Sequence, residues 1–310
     1  MPLGGSGLQV PPLAAGSWEW GRTYPDGRRP AYGEADLREA FAASVEAGVT
    51  FFDAAEVYWG GRSEELLGSC IRASGAAVTV ATKFAPHRRR FLPGHFREAL
   101  RASLGRLGLP AVDVYYTHWH TPPVPLGFWM HAMAEARERG WVRAAGVSNY
   151  GRDLLLRAHD LLARRGMPLA AVQNQYSLTD RTPERDGVLD ACRERGIAFV
   201  AWSPLGNGLL GGRHGSDAVP PGIRDRVFST RYRGALGDLY ALIGEVGANH
   251  GGRSMPQVAL NWLLAQGVIP VHGAKTAAQA RENAGALGWA LTPGEVAALS
   301  EASDRLAAAA

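Results

Sequence analysis

Four polar residues stand at or just past the ends of short apolar runs: Asp53 in VTFFD, Tyr58 five residues later in AEVYWGG, Lys83 in TVATKF and His118 in VDVYYTH. A tyrosine with an ordinary pKa of about 10 is a poor acid near neutrality unless a cation stabilises its phenolate. Lys83 could supply that cation. Asp53 could keep the ammonium charged and oriented, and an N–H of His118 could position and polarise an oxygen beside the phenol. Together these groups are the equipment for protonating an alkoxide as hydride arrives at a carbonyl carbon. Each alone has an ordinary alternative: a cap for Asp53, a rim aromatic for Tyr58, a satisfied core imidazole for His118.

Lysine usage sharpens the choice. Of 33 basic residues only Lys83 and Lys275 are lysines; the other 31 are arginines. A compositional bias accounts for the arginines, so the two retained lysines mark positions that need a compact ammonium, which a planar guanidinium does not imitate.

The elements that must position these residues follow from the pattern of apolar runs. Candidate strands are PLAAG near residue 13, VTFFD at 49, AVTVAT at 77, VDVYYTH at 112, VRAAGVS at 142, AAVQNQ at 170, IAFVAWS at 197 and GVIPV at 267. Amphipathic helical stretches alternate with them, several closing on a glycine (Gly48, Gly108, Gly140, Gly166, Gly196) where a left-handed cap is wanted. Eight strand–helix repeats predict an α/β chain folded as a (β/α)8 TIM barrel, a single domain over residues 1–310 with its site at the C-terminal strand ends. LQVPPLAAG predicts an N-terminal β-hairpin closing the barrel floor, and PQVALNWLLAQG and TPGEVAALSEAS predict additional C-terminal helices. Residues 206–233 are too long for an ordinary connection and are expected to form a loop on the catalytic face.

Composition limits the partners. A chain with 46% hydrophobic and 20% charged residues is not disordered, and a net charge of +4 carried by scattered basic residues does not point to nucleic acid. No apolar run approaches the ~18 residues needed to cross a bilayer. The first charged residue is Glu19, so the start lacks a basic signal-peptide region. A soluble, cytoplasmic monomer or small homo-oligomer with a small-molecule substrate is expected, with no nucleic-acid or membrane partner. Cys70 and Cys192 read as separate buried thiols.

Three motifs read as decoys. Gly206, Gly208 and Gly211 match GxGxxG, but no helix pattern follows to receive a pyrophosphate. His118 and His120 could hold zinc as in barrel hydrolases, yet no later histidine stands at a strand end, and no metal is expected. His87 to Arg90 reads as a solvated loop.

The ordered segments GVTFFDAAEVYWGGRSEELLG, TVATKF, VDVYYTHWH, GVSNY, VQNQYSL, AWSPLGNGLLGG and VIPVHGAKTAAQARENAGAL resemble the aldo-keto reductases over nearly the whole chain. The resemblance implies an NADP(H)-dependent carbonyl reductase with Asp53, Tyr58, Lys83 and His118 as the catalytic tetrad, Tyr58 being the general acid. It implies that Ser148, Asn149 and Gln173 hold the nicotinamide carboxamide, that Trp202 stacks on the ring, and that Ser203, Leu205 and Gly206 wrap the pyrophosphate. Lys275 and Thr276 would meet the 2′-phosphate, with Gln279, Glu282 and Asn283 around the adenosine, all five at the start of a helix. Trp18, Trp20, Trp59, Trp119 and His120, with Phe228 and Tyr232 of the long loop, are expected to line the substrate mouth. The substrate is then apolar, aromatic or a sugar face, among aldehydes, ketosteroid-like ketones, pyridoxal and keto sugars. His272 departs from the proline often found in the last strand segment. Because the same barrel family also resembles potassium-channel β subunits, a slow cofactor-binding regulatory subunit is an alternative, with a zinc-dependent hydrolase a further one.

Overall fold

Eight parallel strands close into a barrel in simple sequential order, β1 to β8, with β8 pairing back onto β1. The computed structural model describes residues 1–23, 30–87, 90, 92–122, 124–212 and 230–309. The strands are β1 (Ala14–Gly16), β2 (Phe51–Asp53), β3 (Thr79–Phe84), β4 (Val112–Thr117), β5 (Val142–Ser148), β6 (Leu169–Gln175), β7 (Ala198–Trp202) and β8 (Ile269–Gly273). The helices are α1 (Glu34–Glu46), α2 (Arg62–Ser74), α3 (Pro93–Leu107), α4 (Leu126–Glu138), α5 (Arg152–Ala163), a single turn α6 (Thr182–Arg185), α7 (Val188–Arg195), α8 (Thr230–Asn249), α9 (Met255–Ala265), α10 (Ala277–Ala284) and α11 (Pro293–Ala308). The five glycines expected to end helices all have positive φ. Helices α9 and α11 are the two expected additions. No described helix is long and apolar enough to cross a membrane.

Two cores result from strand alternation. One buried cluster takes Ala14, Phe51, Ala81, Val114, Tyr116, Ala144, Ala171, Val200 and Ile269, at least one residue from every strand, and is therefore the barrel interior. The larger cluster lies between barrel and helices.

The N-terminal hairpin takes a reduced form. Only one antiparallel bridge, Pro2 to Gln9, joins its arms, and a 3-10 turn at Gly4–Ser6 fills the space between. Leu3 and Val10 nevertheless join the interior cluster and close its floor. The expected loop also shortens. Helix α8 begins at Thr230, and Tyr232 packs into the outer core at 7% exposure instead of lining a mouth. Phe228 lies outside the described residues.

Tyr116 sets the packing beneath the site. It pairs in register with Lys83 on one side and Gly146 on the other. A methyl on Gly146 would stand 2.3 Å from Cδ1 of the Tyr116 ring. Gly146→Ala is accordingly expected to cost about 1–3 kcal/mol by overpacking, measured as a lower urea midpoint. An unchanged midpoint would mean that Tyr116 turns aside freely.

Candidate active site

The interior parity continues upward from the core to the C-terminal strand ends. Two residues beyond Phe51, Ala81, Tyr116, Gly146, Ala171 and Val200 lie Asp53, Lys83, His118, Ser148, Gln173 and Trp202. Alternation alone therefore aims six of the candidate residues at one mouth.

Lys83 is fully buried. Its Nζ donates to Asp53 Oδ2 at 2.5 Å, to the carbonyl of Ala54 at 2.8 Å and to the Tyr58 hydroxyl at 3.3 Å. Burial works against the ammonium, but the adjacent Asp53 and Tyr58 outweigh it and hold the Lys83 pKa above its ordinary value. The other oxygen of Asp53 accepts from the Gln173 side-chain amide at 2.9 Å, across 120 residues of sequence. The backbone carbonyl of Asp53 accepts from both the amide and the hydroxyl of Ser17, whose own carbonyl accepts from Ser63. Spacing along the chain does not identify Gln173, Ser17 and Ser63 as supports of Asp53, although Gln173 in β6 and Ser17 just past β1 both stand at strand ends.

Tyr58 opens a 3-10 turn whose next residue, Trp59, has φ 52°, so the chain doubles back immediately after the phenol. Burial pushes the Tyr58 pKa up, Lys83 pulls it down by charge and by its hydrogen bond, and Asp53 adds to the rise. The net result is above the ordinary value. Lys83 thus curbs the cost of burying a phenolate without making Tyr58 a strong acid. The His118 ring meets that of Tyr58 edge-on, centroids 5.9 Å apart. Burial, with Lys83 and His87 nearby, lowers the His118 pKa to about 3, so the ring is neutral at physiological pH. Its Nδ1 is buried without a hydrogen-bond partner among the described residues.

Glu56 ties the surrounding loops together. Its nearly buried carboxylate accepts from the amide of Ala85 and from Arg90, each through Oε1. The expectation of a purely solvated run at 87–90 is corrected at Arg90; Arg88 and Arg89 lie outside the described residues. Pro86, on the same loop, accepts from Trp119 Nε1 and Thr121 Oγ1.

The residues expected to hold a dinucleotide fall into two groups. Asn149, with φ 61°, donates from Nδ2 to the His118 carbonyl and accepts the Trp202 indole N–H at 3.0 Å. Ser148 donates to the Gln173 carbonyl. Beyond them Ser203, with φ 53°, hydrogen-bonds Asn207 through its hydroxyl, and Leu205 and Gly206 complete the tight turn. Two amides and a hydroxyl beside a half-buried indole are a donor and acceptor set suited to a carboxamide on an aromatic ring. The second group surrounds α10. Thr276 caps the helix through the Gln279 amide, and the Gln279 side chain accepts from the Lys275 amide. Glu282 and Asn283 are not at the helix start, as expected, but in its last turn, because α10 has only eight residues. Asn283 is 4% exposed and engaged with His272 Nδ1 and the Gly273 carbonyl.

The aromatic mouth also needs correction. Trp20 does not line it: the ring is 2% exposed in the outer core, and its Nε1 donates to the Ala274 carbonyl. Trp18 is exposed and its carbonyl accepts from Trp59, while Trp119 packs on His118 at 4.6 Å. His120 stands near Tyr150 with its Nδ1 buried. No group of three His, Cys, Asp or Glu side chains placed to hold a metal occurs among the described residues, which leaves the zinc alternative without a ligand set there.

A model of the aldo/keto reductase family matches residues 12–304. The chain is 38% identical to the chloroplastic pyridoxal reductase of Arabidopsis thaliana over 302 residues, covering 93% of this chain and 82% of the relative. It is 35% identical to the aldo-keto reductase str7 of Strobilurus tenacellus, with 84% and 79% covered. Among solved structures it resembles the thermostable aldo-keto reductase Tm1743 in complex with the inhibitor epalrestat, at a TM-score of 0.79 and 29% identity over 97% of this chain and 98% of that one.

The opposing influences on Tyr58 can be separated by titration. Phenolate absorbance, taken as the difference between the chain and Tyr58→Phe, is expected to rise only above the ordinary tyrosine value of about 10. In Lys83→Met the ionisation is expected higher still. A lower ionisation in that variant would contradict the role given to the ammonium.

Proposed function

The chain belongs to the aldo/keto reductase family, and from that premise we propose that it is an NADPH-dependent reductase of aldehydes or ketones with Tyr58 as general acid. The observation that carries the proposal is the buried Lys83 ammonium, shared between Asp53 and the Tyr58 hydroxyl. NADPH, when bound, supplies the hydride. Ser148, Asn149 and Gln173 would orient its carboxamide, Trp202 would meet the ring face, and Ser203, Leu205 and Gly206 would follow the pyrophosphate. Lys275 and Thr276 at the start of α10 would receive the 2′-phosphate, where a cation and backbone N–H groups favour an anion, with Gln279 toward the adenosine.

At the other side of the mouth the chain handles the substrate oxygen. The Tyr58 hydroxyl, still protonated near neutrality, donates its proton to that oxygen as negative charge develops there. Lys83 then holds the phenolate left behind, and Asp53 keeps the ammonium in place. His118, being neutral, donates an N–H bond to the same oxygen without competing as an acid. Trp59, Trp119 and His120 offer aromatic surface to the rest of the substrate, with Trp18 beside them. The likeness to a pyridoxal reductase makes an aromatic aldehyde such as pyridoxal the first compound to test.

The deciding assay follows NADPH oxidation against a panel of aldehydes, ketones and sugars. Turnover of at least one class is expected; a flat panel with tight cofactor binding would favour a regulatory role. Tyr58→Phe should lower kcat by about 10²–10⁴-fold while cofactor affinity, titrated by fluorescence, stays as in wild type. Lys275→Met should weaken NADPH binding by roughly 1.5–3 kcal/mol and leave NADH almost unchanged. The pH dependence has a definite sign. An acid must be protonated to act, so reduction should fall as pH rises through the elevated Tyr58 pKa. Because the His118 pKa lies near 3, no step that depends on His118 should appear between about pH 5 and 8. An inflection there that disappears in His118→Gln would overturn the neutral-imidazole assignment.

A further inference from the structure

Lys275 already has an anionic partner within the chain. Its Nζ lies 3.4 Å from Glu19 Oε2, a carboxylate whose side chain is only 14% exposed. Arg22 reaches both oxygens of the same carboxylate, at 2.8 and 2.9 Å. The Tyr32 hydroxyl donates to the Glu19 carbonyl at 2.7 Å and lies 3.3 Å from Oε2, and the Lys275 ammonium sits over the Tyr32 ring, 5.7 Å from its centroid. This arrangement is built into the fold. The β1–α1 segment is pinned at one end by Ser17 on the Asp53 carbonyl and at the other by the buried Trp20 indole on the Ala274 carbonyl, next to Lys275. Glu19 lies between the two anchors.

We propose that Glu19 is an internal stand-in for the 2′-phosphate, gathering Lys275 and Arg22 in the free chain, and that it limits NADPH affinity because its hold on Lys275 must be given up when the phosphate binds. The inference rests on the assignment of Lys275 to the 2′-phosphate. A carboxylate and a phosphate both attract Lys275, and they repel each other if both stay near it, so the ammonium cannot serve both fully. The arrangement has two consequences. In the free chain one carboxylate pairs with both the Lys275 ammonium and the Arg22 guanidinium. Selection between NADPH and NADH is set by the difference between two anions competing for Lys275, and so by residue 19 as well as residue 275.

The test is a set of fluorescence titrations with NADPH and NADH on the full chain and its Glu19→Gln, Lys275→Met and doubly substituted forms. Glutamine keeps the shape and hydrogen-bonding capacity of Glu19 and removes its charge. Glu19→Gln is expected to tighten NADPH binding by about twofold to fivefold, in the range of a partly exposed ion pair, with NADH changed by less than about twofold. Added KCl should shrink the gain, and the gain should vanish in the Lys275→Met background. Unchanged or weaker NADPH binding by Glu19→Gln overturns the proposal, provided that Lys275→Met still loses NADPH preference; the phosphate assignment then stands. Equal tightening of both cofactors also overturns it, since Glu19 would then act on a part they share. If Lys275→Met weakens both cofactors alike, the phosphate assignment itself fails and the proposal with it. 2′,5′-ADP titrated against 5′-ADP repeats the comparison without the nicotinamide and should give the same ordering.

Discussion

An ammonium buried at the end of a β-strand is the constraint around which this barrel mouth is organised. An uncompensated charge inside a protein is costly, and removing one partner of a buried pair typically costs about 3–5 kcal/mol. Lys83 escapes that cost by placing its three donors on Asp53, Ala54 and Tyr58. Asp53 in turn is held by Gln173 at its free oxygen and by Ser17 at its backbone. Strands β1, β2, β3 and β6 thus converge on one charge pair. The tight barrel interior below, with Tyr116 against Gly146, supplies the floor on which that pair rests.

The same interior environment decides protonation above the pair. Burial raises Tyr58 and lowers His118, so both groups are neutral near physiological pH. In the proposed reaction a protonated phenol serves only if its conjugate base is tolerated for an instant, and the adjacent ammonium would provide that tolerance without removing the proton beforehand. Glu56 contributes geometry. By holding Ala85 and Arg90 it ties the segment after β2 that carries Tyr58 to the loop after β3, whose Pro86 carbonyl receives Trp119 from the segment after β4.

Period-two alternation made much of this legible in advance. The eight strands and the convergence of Asp53, Lys83 and His118 follow from apolar runs and residues two apart along them, and the glycine caps follow from the left-handed turn that ends a helix. What alternation does not carry is the direction of a side chain in a loop. Trp20 and Trp18 are separated by one residue in an aromatic-rich segment, yet Trp20 turns into the core to reach Ala274 while Trp18 faces out. Gly234 and Gly237 break the helical pattern near the start of α8, so Tyr232 reads as loop in sequence although it is helical. Sequence does not show that α10 ends after eight residues, and that early end puts Glu282 and Asn283 in its last turn rather than its first. The bond from Gln173 to Asp53 joins residues 120 positions apart, and only the closed barrel brings them together.

The central claim is that the site needs a compact positive charge between Asp53 and Tyr58, and Lys83→Arg tests it most directly. Arginine replaces lysine at nearly every other basic position of the chain, and here it keeps the charge while altering its shape. Single-turnover reduction of an aldehyde by the NADPH-saturated variant, followed against pH, is the measurement. A guanidinium pairing broadly with Asp53 should leave the phenol poorly served, with a loss of about 10²–10⁴-fold, the worth of a general acid, and a displaced alkaline limb. A rate near that of wild type with an unchanged pH profile would contradict the account.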